Sequence, residues 1–353
     1  MRKLIGEQVA RNGGWLPFDR YMALALYAPG LGYYANASRK FGTMPGSGSD
    51  FATAPEMSPL FGRMLAVQVQ EALEHTGTHE VWEFGAGSGA LAVELLQALG
   101  DRVRRYTIVE LSAHLRARQQ QVLAAFAPRV TWADQLPEKI EGVVVGNEVL
   151  DAMPVKLLAR RNNAWHERGV ALREGRLAWS EVPTHLRPPV VPGGTGDYVT
   201  EVHHQAEAFM RTLAERLVRG AAFFIDYGFP EAEYYHPQRS MGTVMCHRGH
   251  LADPDPLDAP GEKDISAHVN FTGIAVAAQD AGLPTLGYAS QGRFLVNCGI
   301  GEAMAAASVQ DQVAAQRLIA DHEMGELFKV IGFQRGAFWE ATGFRTGDRT
   351  HTL

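Results

Sequence analysis

The stretch EFGAGSGAL carries three glycines at alternate positions, Gly85, Gly87 and Gly89, starting two residues after an acidic side chain, Glu83. Glycine accepts left-handed backbone and lets a ligand approach the chain, so a turn of this kind opening a helix aims free N–H groups at a nucleotide. Two templates fit. Gly85, Gly87 and Ala90 satisfy the GxGxxG/A of dinucleotide-binding turns, whereas Glu83, Gly85, Gly87 and Gly89 satisfy the ExGxGxG of S-adenosylmethionine sites, with Ala86 and Ser88 completing the loop. Glu110, next to Leu111, ends the following strand-like stretch 23 residues after Gly87 and suits the ribose hydroxyls of either ligand. Glu83 separates the templates, because a carboxylate there repels a pyrophosphate and attracts the cationic amino-acid end of a sulfonium nucleotide.

A second constellation lies in VVVGNEVLDAMPV, where Asn147, Glu148 and Asp151 follow three valines and leave the carboxyl edge of the same sheet. Asn147 and Asp151 could serve as an ordinary helix cap and first-turn acid, but a cap gives Glu148 no task. FIDYG sets Asp226 and Tyr227 at the end of a further strand, as candidates for an acceptor pocket. DISAHVNF presents Asp264, His268 and Asn270 at alternate positions. CHRGH (Cys246, His247, His250) has no second ligand pair at a suitable spacing, so no metal is expected. No GxSxG elbow or P-loop occurs.

These residues need a scaffold. Strand-like EVWEF, RYTIVEL, VTWA and EGVVVGNEVL alternate with helical patterns over 89–99 and 112–126, which predicts a doubly wound parallel α/β sheet. The sheet resumes at AAFFIDYG after a helix over 203–218. A helix near 271–281, a strand in LPTLGYAS, a helix over 303–319 and a strand LFKVIGF follow. Between them, AWHERGVALREGRLAWSEV reads as a hairpin turning at Glu174 and Gly175, and THLRPPVVPGGTGDY as a connector. Ahead of the sheet lie a helix over 2–11, a loop KFGTMPGSGSDF, and a helix capped either by Thr53 with Glu56 or by Ser58 before Pro59. The expected division is an N-terminal lobe, 1–79, and a core, 80–353, with insertions at 155–200 and 229–270.

The chain has 353 residues, 46% hydrophobic and 20% charged, with a formal net charge of −6. That balance argues against a dedicated nucleic-acid binder. Two cysteines, Cys246 and Cys298, suit a reducing compartment, and neither a long apolar run nor a cleavable leader is evident, so a cytoplasmic protein without membrane insertion is expected.

Together, GYYANASRKFGTMPGSGSDFATAPEMSPLFGRMLA, EFGAGSGAL, NEVLDAMPV, FIDYG and GEKDISAHVNF resemble the MidA family, related to the mitochondrial complex I assembly factor that methylates arginine. The resemblance spans residues 5–340. It implies a seven-stranded, Rossmann-like S-adenosylmethionine methyltransferase core, and a protein acceptor, with a respiratory complex I subunit as candidate. It also implies that Thr53 and Pro55, with Glu56, lie over the methyl donor and that His268 packs near the active site. Tyr34, just ahead of the glycine-rich stretch, is expected to cover the same donor, and the Gly/Ser content of the 40–50 loop suits a lid. His268 joins Asp226 and Tyr227 as a candidate for the acceptor side. Asn147, Glu148 and Asp151 then become catalytic candidates, since carboxylates can grip two nitrogens of a guanidinium and leave the third to react. EVHHQ departs from the family pattern at His203, beside His204. Weighed against this are a small-molecule acceptor, a non-catalytic assembly factor that keeps the fold, and an NAD-dependent oxidoreductase; self-association stays open.

Overall fold

The computed structural model describes residues 1–36, 53–249 and 251–353. Its centre is an eight-stranded sheet, seven strands of which form a continuous run: β1 (Glu80–Phe84), β2 (Arg105–Val109), β3 (Val130–Ala133), β4 (Ile140–Asn147), β5 (Leu217–Phe229), β6 (Thr285–Ser290) and β7 (Phe328–Arg335); the two-residue strand Val269–Asn270 pairs beside the end of β5. Spatial order is β3-β2-β1-β4-β5-β7-β6. The first five run parallel, and β7 is antiparallel to both of its neighbours. Strand order therefore reverses between β1 and β4, and open α/β sheets bind ligands at such a reversal.

Residue periodicity explains why both faces are covered. Successive side chains of a strand point to opposite faces. Val143, Val145, Phe223 and Ile225 thus join one core with Phe61, Leu65 and Leu95, whose helices are Pro59–Thr76 and Ala90–Leu99. Val144, Ala222 and Phe224 join the other, with Met210 and Leu213 of helix His204–Arg216 and Ile274 of helix Phe271–Asp280. A sheet buried on both faces has no use for polar alternation, which is why EGVVVGN and AAFFI read as continuous apolar runs.

The competing caps at residues 53 and 58 are both used. Thr53 and Glu56 form a capping box on the short helix Ala54–Met57, and the Ser58 hydroxyl accepts from the Leu60 N–H to open Pro59–Thr76. The helix expected over 303–319 is instead Ile300–Ala305 followed by Val309–Ile319, because the Ser308 hydroxyl accepts from the Asp311 N–H and starts a new helix.

The insertion at 155–200 contains the expected hairpin and connector, but the hairpin is part of a larger, five-stranded sheet. Strands Trp15–Pro17, Ala164–Arg173, Lys156–Arg161 and Tyr198–Val202 pair in that order, and Arg176–Pro183 pairs with Ala164–Arg173 through the expected turn, where Glu174 and Gly175 have φ of 51° and 75°. Apolar packing crosses the boundary expected at residue 79. Ile5, Phe18 and Met22 pack with Leu157, Val170 and Ile265 of the insertions, while the helix before residue 79 belongs to the central core. Residues 229–270 carry a three-stranded sheet of Leu251–Asp253, Met245–Arg248 and Asp264–Ser266. Among the described residues, no helix is long and apolar enough to cross a membrane.

Candidate active site

A cleft of about 1130 Å³ opens at the carboxyl ends of β1, β2, β4 and β5. The glycine turn forms its floor. Gly85, Gly87 and Gly89 all have positive φ, 63°, 52° and 88°, so each alternate glycine occupies backbone that L-residues rarely adopt. A Cβ at Gly85 would also press on Val149 at 3.1 Å. Gly85, Ala86, Gly87 and Ser88 line the cleft; Gly89 does not, and caps the helix behind.

Two acids frame the turn. Glu83 is 2% exposed and accepts from the Tyr106 hydroxyl at 2.8 Å; burial, opposed by that bond, pushes its carboxyl up to about 8. Glu110 accepts the Ser112 N–H at 2.8 Å and the Gln119 amide at 3.1 Å, while burial raises its carboxyl. Leu111 beside it is exposed and lines the cleft. Gln119 also donates to the Gly87 carbonyl and accepts from the Trp132 indole, locking the glycine turn to Glu110. Neither Gln119 nor Trp132 was marked by sequence, because one glutamine on a polar helix has no signature.

The opposite wall comes from the end of β4. Glu148 has φ of 53°, strained for a side chain that is not glycine, and accepts from the Asn147 amide at 3.0 Å. Burial, with Asp151 and Glu56 nearby, pushes its carboxyl up to about 8 although the Ala54 N–H also bonds to it. Asp151 accepts from the Tyr227 hydroxyl at 2.5 Å, and burial raises it to about 6 despite that bond. Asn147 Oδ1 and Asp151 Oδ1 are buried without a hydrogen-bond partner among the described residues. Buried acceptors left in that state are costly, so a donor-rich ligand would relieve them.

The remaining expected residues divide. Thr53 and Pro55 line the cleft, and Glu56 beside them bonds to the Ser88 side chain, so this short helix bridges both walls. Tyr34 lines it too, donating to Asp264 at 2.9 Å and stacking on Tyr27 at 5.7 Å. Tyr27, which sequence did not single out, donates to the Ala152 carbonyl at 2.7 Å. Tyr227 and His268 line the cleft with ring centroids 5.1 Å apart. Burial, with Arg239 and Lys329, holds His268 down to about 4, so it is neutral near pH 7. The 40–50 loop and His250 lie outside the described residues. Cys246 is fully buried, whereas His247 lines the cleft, as alternation along a strand requires.

Asp226 corrects the sequence reading. It is fully buried and does not line the cleft: one carboxyl oxygen accepts the N–H groups of Val149, Leu150 and Asp151 at 3.2, 2.9 and 3.2 Å, and the other accepts that of Tyr227 at 3.0 Å. Its task is to hold the chain that presents Asp151. His203, at the departure from the family pattern, is also away from the cleft, with its Nε2 3.0 Å from the Tyr234 hydroxyl.

The model of a family of S-adenosyl-L-methionine-dependent methyltransferases matches residues 64–289, more than half of the chain. The chain belongs to this family, the MidA-like methyltransferases. A protein from Burkholderia thailandensis, crystallised with S-adenosyl-homocysteine, is 49% identical to this methyltransferase, with a TM-score of 0.95 over 100% of this chain and 96% of that one. The "Protein arginine methyltransferase NDUFAF7, mitochondrial" of Danio rerio is 28% identical, covering 90% of this chain and 82% of its own. The Caenorhabditis elegans homologue of the same name is 24% identical, covering 85% and 76%.

The methyl donor is S-adenosylmethionine. The glycine cradle and the desolvated Glu83 fit it, since a cationic amino-acid end beside Glu83 would restore the ionised carboxylate. The sign of the pH dependence follows. Below about 8 the free methyltransferase holds Glu83 protonated, so binding a cation must expel that proton. Affinity for S-adenosylmethionine is expected to rise between pH 6.5 and 8, and Glu83→Gln to weaken it roughly tenfold at pH 8 and flatten the rise. Calorimetry at both pH values reads this; equal affinities in both proteins would remove Glu83 from the site.

Proposed function

We propose that this methyltransferase methylates an arginine side chain of a protein. The carrying observation is the pair of buried acceptors, Asn147 Oδ1 and Asp151 Oδ1, that have no partner among the described residues and lie beside the Glu148 carboxyl. A guanidinium offers five N–H donors in a planar fork and a charge that would favour ionised Glu148 and Asp151. Gripped on two nitrogens, it keeps its positive charge there and leaves the third richer in electrons.

S-adenosylmethionine supplies an electrophilic methyl carbon on a sulfonium. The arginine nitrogen forms the new N–C bond as the S–C bond breaks, its electron pair staying on sulfur, and one N–H proton then leaves. Glu148, with a carboxyl near 8, suits the acceptor of that proton better than His268, held near 4. Tyr34 and the helix Ala54–Met57 would close over the reacting atoms and exclude water.

The names of the relatives support a protein arginine acceptor, and the family resemblance suggests a respiratory complex I subunit. The reading keeps the enzyme in the cytoplasm. Radiolabelled S-adenosylmethionine incubated with a lysate lacking the enzyme's own activity tests it. Label on arginine in a protein is expected; label confined to small molecules, or to another residue type, would overturn the proposal.

A further inference from the structure

The cleft is lined by six carboxyl side chains, Glu83, Glu110, Asp134, Glu148, Asp151 and Asp264, and by a single Arg or Lys among the described residues, Arg239. This guanidinium lies 4.0 Å from the Phe229 ring centroid and donates from Nε to the Glu233 carbonyl. No carboxylate among the described residues pairs with it. Its place is on the acceptor side: Phe229 tilts against His268 at 5.2 Å, and His268 meets Tyr227, whose hydroxyl holds Asp151.

Arg239 also sits on a built rim rather than a loose loop. The Ser240 carbonyl accepts from the Val199 N–H at 2.8 Å, and the buried Glu201 carboxyl accepts the N–H groups of Thr243 and Val244 at 2.7 and 3.1 Å. Stacking on Phe229 fixes the plane of the guanidinium and leaves its terminal nitrogens as donors. Met241, 89% exposed, stands just beyond and offers an apolar contact.

Resting on the protein-arginine reading above, we infer that Arg239 sets acceptor specificity: it receives an acidic side chain that lies close in sequence to the methylated arginine. The wall then carries a charge map, negative at Glu148 and Asp151 for the arginine and positive at Arg239 for its acidic neighbour. A basic residue at that neighbouring position would meet Arg239 and be disfavoured.

The test uses purified full-length enzyme, labelled S-adenosylmethionine and a library of peptides with a central arginine and randomised flanks. The wild type is expected to favour Asp or Glu at one flank roughly tenfold in kcat/KM, mainly through KM. Arg239→Gln is expected to erase the preference, and Arg239→Glu to replace it with Lys or Arg. A preference unchanged in both variants, or transfer without any flank preference, overturns this inference alone. So does weakened S-adenosyl-homocysteine binding by Arg239→Gln, which would assign the guanidinium to the cofactor. Absence of transfer to every arginine peptide, with another residue type labelled in the lysate, overturns the arginine reading and this inference with it.

Discussion

Glu148→Gln is expected to lower methyl transfer on the order of 10²-fold, the scale lost when a reacting group is misplaced, while S-adenosyl-homocysteine affinity stays within about twofold. Gln keeps the size of the side chain and one acceptor oxygen, so the bond from the Ala54 N–H and the left-handed backbone can persist. On the proposed arginine reading, it loses the charge that would grip a guanidinium and the site that would take its proton. The pH profile provides a second reading. In the free enzyme Glu148 is protonated below about 8 and Asp151 below about 6, so kcat/KM should climb as pH rises through that window. Glu148→Gln should remove the upper part of the climb and leave the part near 6. Steady-state kinetics between pH 5.5 and 9 would decide it, and wild-type rates in the variant would take Glu148 out of the chemistry.

Asp226→Ala is expected to destabilise the fold by about 3 kcal/mol, since it strips the acceptor from several buried N–H groups at once. The loss would be felt locally first. Val149, Leu150 and Asp151 all hang from one Asp226 oxygen, and Tyr227, held by the other, fixes Asp151 through its hydroxyl. Transfer should therefore fall even at temperatures where the variant remains folded. Asp226→Asn keeps one acceptor oxygen for the three-donor cluster and is expected to cost less. Thermal unfolding followed beside S-adenosyl-homocysteine titration separates stability from cofactor binding; an Asp226→Ala protein that melts like the wild type would contradict the anchoring role.

The Asp226 result also marks where sequence reasoning stops. FIDYG located a carboxylate at a strand end, but a strand end does not say whether the side chain faces the cleft or the adjoining loop. Only the parallel pairing of β4 with β5 brings residues 149–151 within reach of its oxygen. Gln119 was illegible for the same reason, because its three partners come from separate elements. Arg239 was hidden in an irregular stretch with no periodicity to orient it.

What the sequence determined by itself is what local chemistry determines. Alternating glycines require left-handed backbone wherever they lie, apolar runs between helical periods require a sheet covered on both faces, and Thr53–Glu56 and Ser58–Pro59 each carry a complete cap. Those signals delivered the glycine turn, the seven core strands and the cluster at Asn147, Glu148 and Asp151. Tertiary structure alone decided the second sheet, because Trp15–Pro17 finds its partner at Gly169–Ala171 and strands so far apart leave no local trace. It alone set the carboxyl ionisation as well. Glu83 and Glu148 have ordinary side chains, and only the loss of water around them, imposed by packing from distant segments, pushes their proton affinity toward neutral pH.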